Sequence, residues 1–419
     1  MRDYINALRI RDYRLLWIGS VVNLLGDGAS WTALTWMAIT QGGAKAVGVM
    51  AVCYTLPVIL GGALVGPLLD RFSRRTLLVA DAFARAAIIG AVPLLDATGA
   101  LHLWYLYVVA GAYGLLKIVP LGVVPAVTPE LVPKKDLHSA VALEGIAYGA
   151  AGMAGPALGG LLIAAFGAPV VLGLDALSYV FFAFSVLAMR ARLPRPEGET
   201  SVSLRQSFGW APVIRMLRND TVLVTITAAF ALFNMTVGML RVTIPWMAIT
   251  PLAGDARTLG LLLAVGEGAG LAGSLISGMI KPADRQMRRI GLLQLAAGGG
   301  LIFLLLPGLP AALLGLILVN LFSTPMTVSA QVLRLNRIPA EVRGRTMTFM
   351  RTLMNATSPG GAAIAGPLLA ASLFAPTVIL MVAIAALPGL YMAVRFRSTS
   401  YGEELGVTPK RKEPAAQPS

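Results

Sequence analysis

Residues 66–75 read Gly66-Pro67-Leu68-Leu69-Asp70-Arg71-Phe72-Ser73-Arg74-Arg75, and 214 positions beyond Asp70 the chain reads Asp284-Arg285-Gln286-Met287-Arg288-Arg289. Both stretches close an apolar block, and both carry the pattern Asp-Arg-x-x-Arg-Arg. Two further matches keep the same order: LVPKKDL at 131–137 answers RIPAEVR at 337–343, and Gly155-Pro156-Ala157-Leu158-Gly159-Gly160 answers Gly361-Ala362-Ala363-Ile364-Ala365-Gly366. Three matches in one order at nearly one offset imply a duplicated unit. Parallel repeats of this kind are a transporter architecture, with the solute site where the repeats meet near mid-bilayer.

The blocks between these motifs are membrane spans. Of 419 residues, 57% are hydrophobic and 13% charged, with a mean hydropathy of +0.76; a soluble domain carries about 25% charged residues. Residues 15–39, 47–69 and 103–127 are continuous apolar blocks, each longer than the ~20 helical residues that cross a hydrocarbon core. Backbone polar groups must be satisfied internally there, so each block is a helix. A β-barrel would show ~10-residue segments of alternating pattern instead. Twelve spans follow, centred near residues 27, 57, 87, 115, 151, 179, 235, 269, 298, 324, 358 and 384. The expected fold class is an all-α membrane protein of twelve transmembrane helices in two pseudo-symmetric six-helix bundles. The N-terminus, MRDYINALRIRDYRLLW, has no cleavable signal pattern, and the single Cys53 reads as a packing residue.

A net charge of +14 in a soluble chain would suggest nucleic acid, but here its distribution explains it. Counted from the N-terminal side, 28 of the 34 Lys and Arg fall on one membrane side, against Lys45 and Arg257 on the other. The positive-inside rule then makes both termini cytoplasmic and removes the need for a nucleic-acid partner. The expected division is an N-terminal bundle at 1–190, a cytoplasmic linker with an amphipathic helix at 191–220, a C-terminal bundle at 221–398 and a disordered cytoplasmic tail at 399–419.

The Gly66–Arg75 stretch resembles the signature loop of the major facilitator superfamily, and the resemblance covers the chain to about residue 398. It implies a conformational latch built from Gly66, Asp70, Arg71, Arg74 and Arg75, with a second copy at Asp284, Arg285, Arg288 and Arg289; that copy lacks the glycine at the matching spacing. PELVPKKDL followed by AGPALGGLL is similar to the bacterial drug and siderophore exporter branch, where Gly155, Pro156, Gly159 and Gly160 would let the fifth and eighth helices pack closely. Leu25-Gly26-Asp27, Glu144 and Arg241 are also similar to the bacterial lysophospholipid transporter. The lysine expected there near Val124 stands instead at Lys117.

Ionisable groups inside spans cost at least ~2.5 kcal/mol each, so each needs a reason. Asp27 lies about 18 Å into a core of ~30 Å on a helix that, by the resemblance, lines the central cavity. It is the leading proton-coupling residue, with a salt bridge to Lys117 as the competing role. Glu144 and Glu267 are each open to proton relay or to pairing with Arg351. Lys117 and Arg241 are candidates for an anionic substrate group, Arg241 through its planar fork unless it reaches the outer headgroups. Trp31, Asn234, Asn320 and Asn355 are further candidate contacts. Asp81 and Arg85, four residues apart, read as a local ion pair supporting the signature loop. Asp175 reads as structural, because the sixth span is peripheral.

No G-x-x-x-x-G-K-[ST] loop is present for an ATP-driven pump. His102 and His138 fall on opposite membrane sides, which argues against an intramembrane enzyme. The expectation is a secondary active transporter without cofactor or metal, acting as a monomer in a bacterial cytoplasmic membrane. Three readings stay open: proton-coupled export of a small amphipathic compound, movement of a lipid-like lysophospholipid, and uptake of a polar nutrient.

Overall fold

The bend between the first two spans falls on Gly43, whose φ of 65° only glycine adopts without strain. A continuous helix, Arg11–Arg71, turns there, giving α1 (residues 11–42) and α2 (44–71). A computed structural model describes residues 2–191, 193, 214, 219–279, 285–339, 342–399 and 401–404; the side chains of 2–3, 60–71, 278, 344–345 and 401–402 lie outside that description. Among the described residues every regular element is helical. The crossings continue as α3 (Arg74–Ala97), α4 (Leu103–Leu116, resumed at Ile118–Leu131), α5 (Leu137–Phe166), α6 (Ala168–Leu187), α7 (Thr221–Ile249), α8 (Ala256–Met279), α9 (Gln286–Gly300, extended by a 3-10 turn at Leu301–Leu305), α10 (Leu309–Arg337), α11 (Arg343–Asn355 and Ser358–Ala370) and α12 (Phe374–Arg395).

Two crossings are interrupted, and each break has a local cause. Pro120 has no N–H to return to the carbonyl of Leu116, and α4 loosens at Lys117. In α11, Pro359 likewise stands at the start of the second segment, and the helix breaks at Ala356–Thr357. The freed Thr357 hydroxyl donates to the Ala231 carbonyl of α7 at 2.5 Å.

The duplication is visible in the packing. Within the first half α3 pairs with α6, α2 with α4 and α1 with α5; within the second, α9 pairs with α12, α8 with α10 and α7 with α11. Adding six to each index of the first set gives the second. α3, α6, α9 and α12 pack within their own halves. The halves meet through α5 against α8, α2 against α11, and α1–α2 against α7.

That meeting is tightest at the end away from the termini. A Cβ placed on Gly160 would stand 2.5 Å from the Ala256 carbonyl oxygen and 3.0 Å from the Gly260 Cα, so α5 and α8 touch backbone to backbone. Gly48 and Gly366 bring α2 and α11 together at the same end. At the termini end, the second segment of α4 and the first segment of α11 make their extensive contacts only within their own halves. The space between the halves therefore closes at the far end and widens towards the termini.

The expected amphipathic helix of the linker lies outside the described residues, as does the tail from 405. The tail was expected to be disordered from 399. Instead, Tyr401–Glu404 forms a helical turn, with Glu404 fully buried and its Oε1 accepting the Met287 N–H at 3.0 Å. A short helix, Arg2–Arg9, precedes α1.

Candidate functional site

A space of about 1570 Å³ lies between the halves at mid-depth. Its wall is mainly apolar, with Asp27 and Trp31 from α1, Tyr54 from α2, Lys117 from α4, Arg241 from α7, and Glu267 from α8. Asn320 of α10 also lines it, its Nδ2 donating back to the Leu316 carbonyl at 2.9 Å. A second recess of about 640 Å³ shares Asp27 and Lys117 and runs between α1, α4 and α5 towards the termini end. It reaches Glu144, Tyr13 and Trp17. In its wall the Ser20 hydroxyl and Asn23 Nδ2 are buried with no hydrogen-bond partner among the described residues.

The cations converge on aromatic rings. The Arg241 guanidinium lies 5.8 Å from the Trp31 ring centre and 5.6 Å from that of Tyr54, both on the opposite half. The two rings are themselves in contact, at 4.8 Å. Lys117 sits 5.9 Å from the Tyr113 ring, with the Tyr54 hydroxyl alongside its ammonium. Such contacts are worth about 0.5–2 kcal/mol each, more where water is excluded. Arg241 Nε is buried without a partner among the described residues, so the guanidinium keeps an unused donor.

Asp27 does not form the salt bridge with Lys117 that the sequence allowed. Its Oδ1 accepts a hydrogen bond from the Tyr179 hydroxyl of α6. The same hydroxyl accepts from Arg85 Nη1 at 3.2 Å, and Arg85 Nε stands 3.2 Å from Asp81 Oδ2. Arg85 is 1% exposed and packs over the rings of Tyr113 and Tyr179, each 5.5 Å away. The expected Asp81–Arg85 ion pair forms, and it is the buried end of a chain that reaches the cavity acid. Asp175, read as structural on a peripheral span, is 2% exposed and pressed against α1: a Cβ on Gly26 would meet its Oδ1 at 2.1 Å. Sequence reading did not place Arg85, Tyr179 and Asp175 behind the wall that carries Asp27. The available signal was spacing, since Asp81/Arg85 and Asp175/Tyr179 are both polar pairs four residues apart on apolar helices.

The other expected residues fall in three places. Glu144 accepts from the Thr128 hydroxyl in the recess wall, and Glu267 lines the main cavity. Asn234 donates to the Phe230 carbonyl at 2.9 Å and stands outside the residues lining the cavity; Arg351 and Asn355 are exposed and also stand outside them. Neither glutamate forms an ion pair with Arg351 among the described residues. Of the latch residues, Arg74 pairs with Glu130 at the end of α4, and Arg75 donates to the Leu187 carbonyl, both within the first half. Arg285 is exposed, and Arg288 and Arg289 are half-buried. Gly66, Asp70 and Arg71 belong to the end of α2 but their side chains lie outside the description, as does Asp284 entirely. Gly155 and Gly159 pack on α1, at Gly28 and Ala29, rather than on α8; Gly160 and the Pro156 carbonyl face α8.

Comparison with known proteins fits this geometry. Over 384 residues the chain is 28% identical to the multidrug efflux pump Tap of Mycobacterium tuberculosis strain H37Rv, covering 84% of this chain and 86% of that one. It is 29% identical over 330 residues to an uncharacterized MFS-type transporter, y4rN, of Sinorhizobium fredii, covering 76% and 79%. Among solved structures, a bacterial homologue of the human lysosomal transporter Spinster, inward-facing and unoccupied, superposes with a TM-score of 0.67 at 12% identity, over 95% of this chain and 97% of that one. The nucleoside transporter NupG superposes with a TM-score of 0.67 at 11% identity, over 92% and 98%. These distant structures share the fold. The family described as Major Facilitator Superfamily matches residues 16–361, and with the duplicated bundles and their shared cavity this places the chain in that superfamily of membrane transporters.

Proposed function

We propose that the protein is a secondary active exporter that carries a small amphipathic compound out of a bacterial cell in exchange for protons. The observation that carries this reading is Asp27, a carboxyl at mid-depth in the wall of a cavity that is closed at one end and open towards the termini. The Lys and Arg distribution supports cytoplasmic termini, and that opening then faces the cell interior. A carboxyl in such a wall binds a proton from one side and releases it to the other as the halves rock about their glycine contacts. The mainly apolar wall, the aromatic pair Trp31–Tyr54 and the recess between α1, α4 and α5 suit an apolar body. Lys117 and Arg241 suit a polar or anionic head. The likeness to a multidrug efflux pump supports the outward direction.

A lysophospholipid is the second reading. The 640 Å³ recess has Lys117 beside Leu16, Leu121 and Val124 in its lining, a combination that suits an acyl chain beneath a phosphate.

The test is transport in liposomes under an imposed pH gradient, with a cationic amphipathic dye, an anionic siderophore-like compound and a lysophospholipid as probes. Gradient-driven movement of the dye or siderophore, lost in Asp27→Asn, is the expected result. Full gradient-driven transport in Asp27→Asn would overturn the role of Asp27. Movement of the lysolipid alone, indifferent to the gradient, would replace export with the lipid reading.

A further inference from the structure

We propose that Asp27 and Asp175 act as one two-carboxyl unit that holds the coupling proton jointly, Asp175 being the sealed member and Tyr179 the group that positions the exposed one. This rests on the proton-coupled reading of the cavity and adds to it a second proton-holding residue, out of the substrate's reach.

The argument is a charge balance within a dry volume. The groups facing this site are Asp27 from α1, Tyr54 from α2, Asp81 and Arg85 from α3, Tyr113 and Lys117 from α4, Tyr148 from α5, and Asp175 and Tyr179 from α6. Arg85 is matched by Asp81, with Nε and Oδ2 3.2 Å apart. Lys117 and Arg241, in the cavity wall, are the other cations; against them stand Glu267 and the two carboxyls Asp27 and Asp175. Ionising all three would leave a net negative charge beside apolar helices, which buried carboxylates avoid by keeping a proton.

The structure also shows where that proton sits. Asp175 Oδ1 accepts from the Ser178 hydroxyl at 2.9 Å, whereas its Oδ2 is buried with no partner among the described residues. A buried charged oxygen without a donor costs more than the neutral acid, whose O–H faces the Ser30 hydroxyl, itself without another partner among the described residues. Asp27, by contrast, has a donor in Tyr179, itself held by Arg85 Nη1 at 3.2 Å. The proton thus belongs on Asp175.

Gly26 makes the two carboxyls one unit. A Cβ there would stand 2.1 Å from Asp175 Oδ1, so Asp175 reaches the α1 backbone at the residue next to Asp27. When the proton passes, the O–H bond at Asp175 breaks and one forms at Asp27, with no proton gained or lost. Asp27 becomes neutral, Asp175 takes the charge, and Lys117 loses the carboxylate that balanced it across the cavity. The charge seen by a substrate changes although the substrate never touches Asp175.

The experiment is infrared difference spectroscopy of the purified full chain in nanodiscs, titrated from acid to alkaline pH and following the carboxylic-acid C=O stretch. Wild type should show a protonated-carboxyl band near neutral pH that is missing in Asp175→Asn. In Asp27→Asn that band should persist but vanish about one pH unit or more lower, because its like-charged neighbour is gone. Tyr179→Phe should shift the Asp27 band and leave the Asp175 band in place. Asparagine at 175 still offers an oxygen to Ser178; should that variant nevertheless fail to fold, the Asp27→Asn titration decides alone. A band that survives Asp175→Asn, or one with the same midpoint in Asp27→Asn as in wild type, overturns the shared-proton unit. The predicted bands together with transport that ignores a pH gradient would leave the carboxyl pair standing and refute coupled export.

Discussion

Removing Arg85 should be among the most damaging single changes in the molecule, and removing its partner with it should repair most of the damage. Arg85 is 1% exposed and Asp81 6%, and their charged atoms are 3.2 Å apart. At an effective dielectric near 20, two unit charges at that distance attract by about 5 kcal/mol. Taking both from water costs a similar amount, so the intact pair adds little net stability. Arg85→Met breaks that balance: Asp81 is left buried without a counter-charge, and Tyr179 loses the donor that orients it. The expected loss is about 3–5 kcal/mol. Asp81→Asn/Arg85→Met leaves no uncompensated charge and should recover most of it. The assay is a double-mutant cycle on reversible unfolding in mixed detergent micelles. A coupling energy below about 1 kcal/mol would refute the reasoning, because a pair that weak is not desolvated.

Other outcomes follow from single contacts. Gly160→Ala forces a methyl group to within 2.5 Å of the Ala256 carbonyl oxygen, an overpacking cost of about 1–3 kcal/mol borne only when the far end is closed; a cysteine at position 35, in a Cys53→Ser background, should then label faster with an impermeant thiol reagent from that side, and unchanged labelling would count against the closed-end assignment. Arg241→Gln should weaken binding of the anionic probe more than that of the cationic dye, read by equilibrium binding in nanodiscs, and equal losses would remove Arg241 from headgroup recognition. Burial pushes the Glu404 carboxyl up from 4.5 to about 7, against the opposing Met287 N–H. Because the docked value is the higher one, docking of the Tyr401–Glu404 turn is favoured fully below pH 4.5 and weakens as the pH rises through about 7. Hydrogen exchange of the Met287 amide should therefore quicken across that window, and Glu404→Gln should flatten the change.

The architecture was legible because it rests on periodic, whole-helix properties. The Asp-Arg-x-x-Arg-Arg duplication and the Lys and Arg asymmetry are linear signals, and the paired packing of α1–α6 and α7–α12 agrees with the duplication. Breaks were less legible. Pro120 and Pro359 were visible, but proline bends some membrane helices and interrupts others, depending on what receives the freed carbonyl. The site was half legible. Asp27, Lys117, Arg241 and Glu267 were readable as charges stranded in apolar spans, and they do reach one cavity. Their partners were not readable, because Tyr179 is 152 positions from Asp27, and nothing local in either helix says that α6 turns that face inward.

Asp175, read as structural on a peripheral span, shows why. α6 is peripheral with respect to the other half, as expected, yet it packs on α1 and α3 within its own. A residue on a peripheral helix can therefore stand directly behind a cavity wall, and a glycine in that wall brings it within reach: Gly26 does so for Asp175. The charges then divide unequally between two halves that repeat each other in shape. Asp27, Asp81, Arg85, Lys117 and Asp175 all belong to the first half, while the second contributes Arg241 and Glu267 from helices that touch the first. Duplication supplied the matched surfaces on which rocking depends. Among the described residues the buried charge chain stands in the first copy, and the second half faces it across the cavity through Arg241 and its contacts with Trp31 and Tyr54.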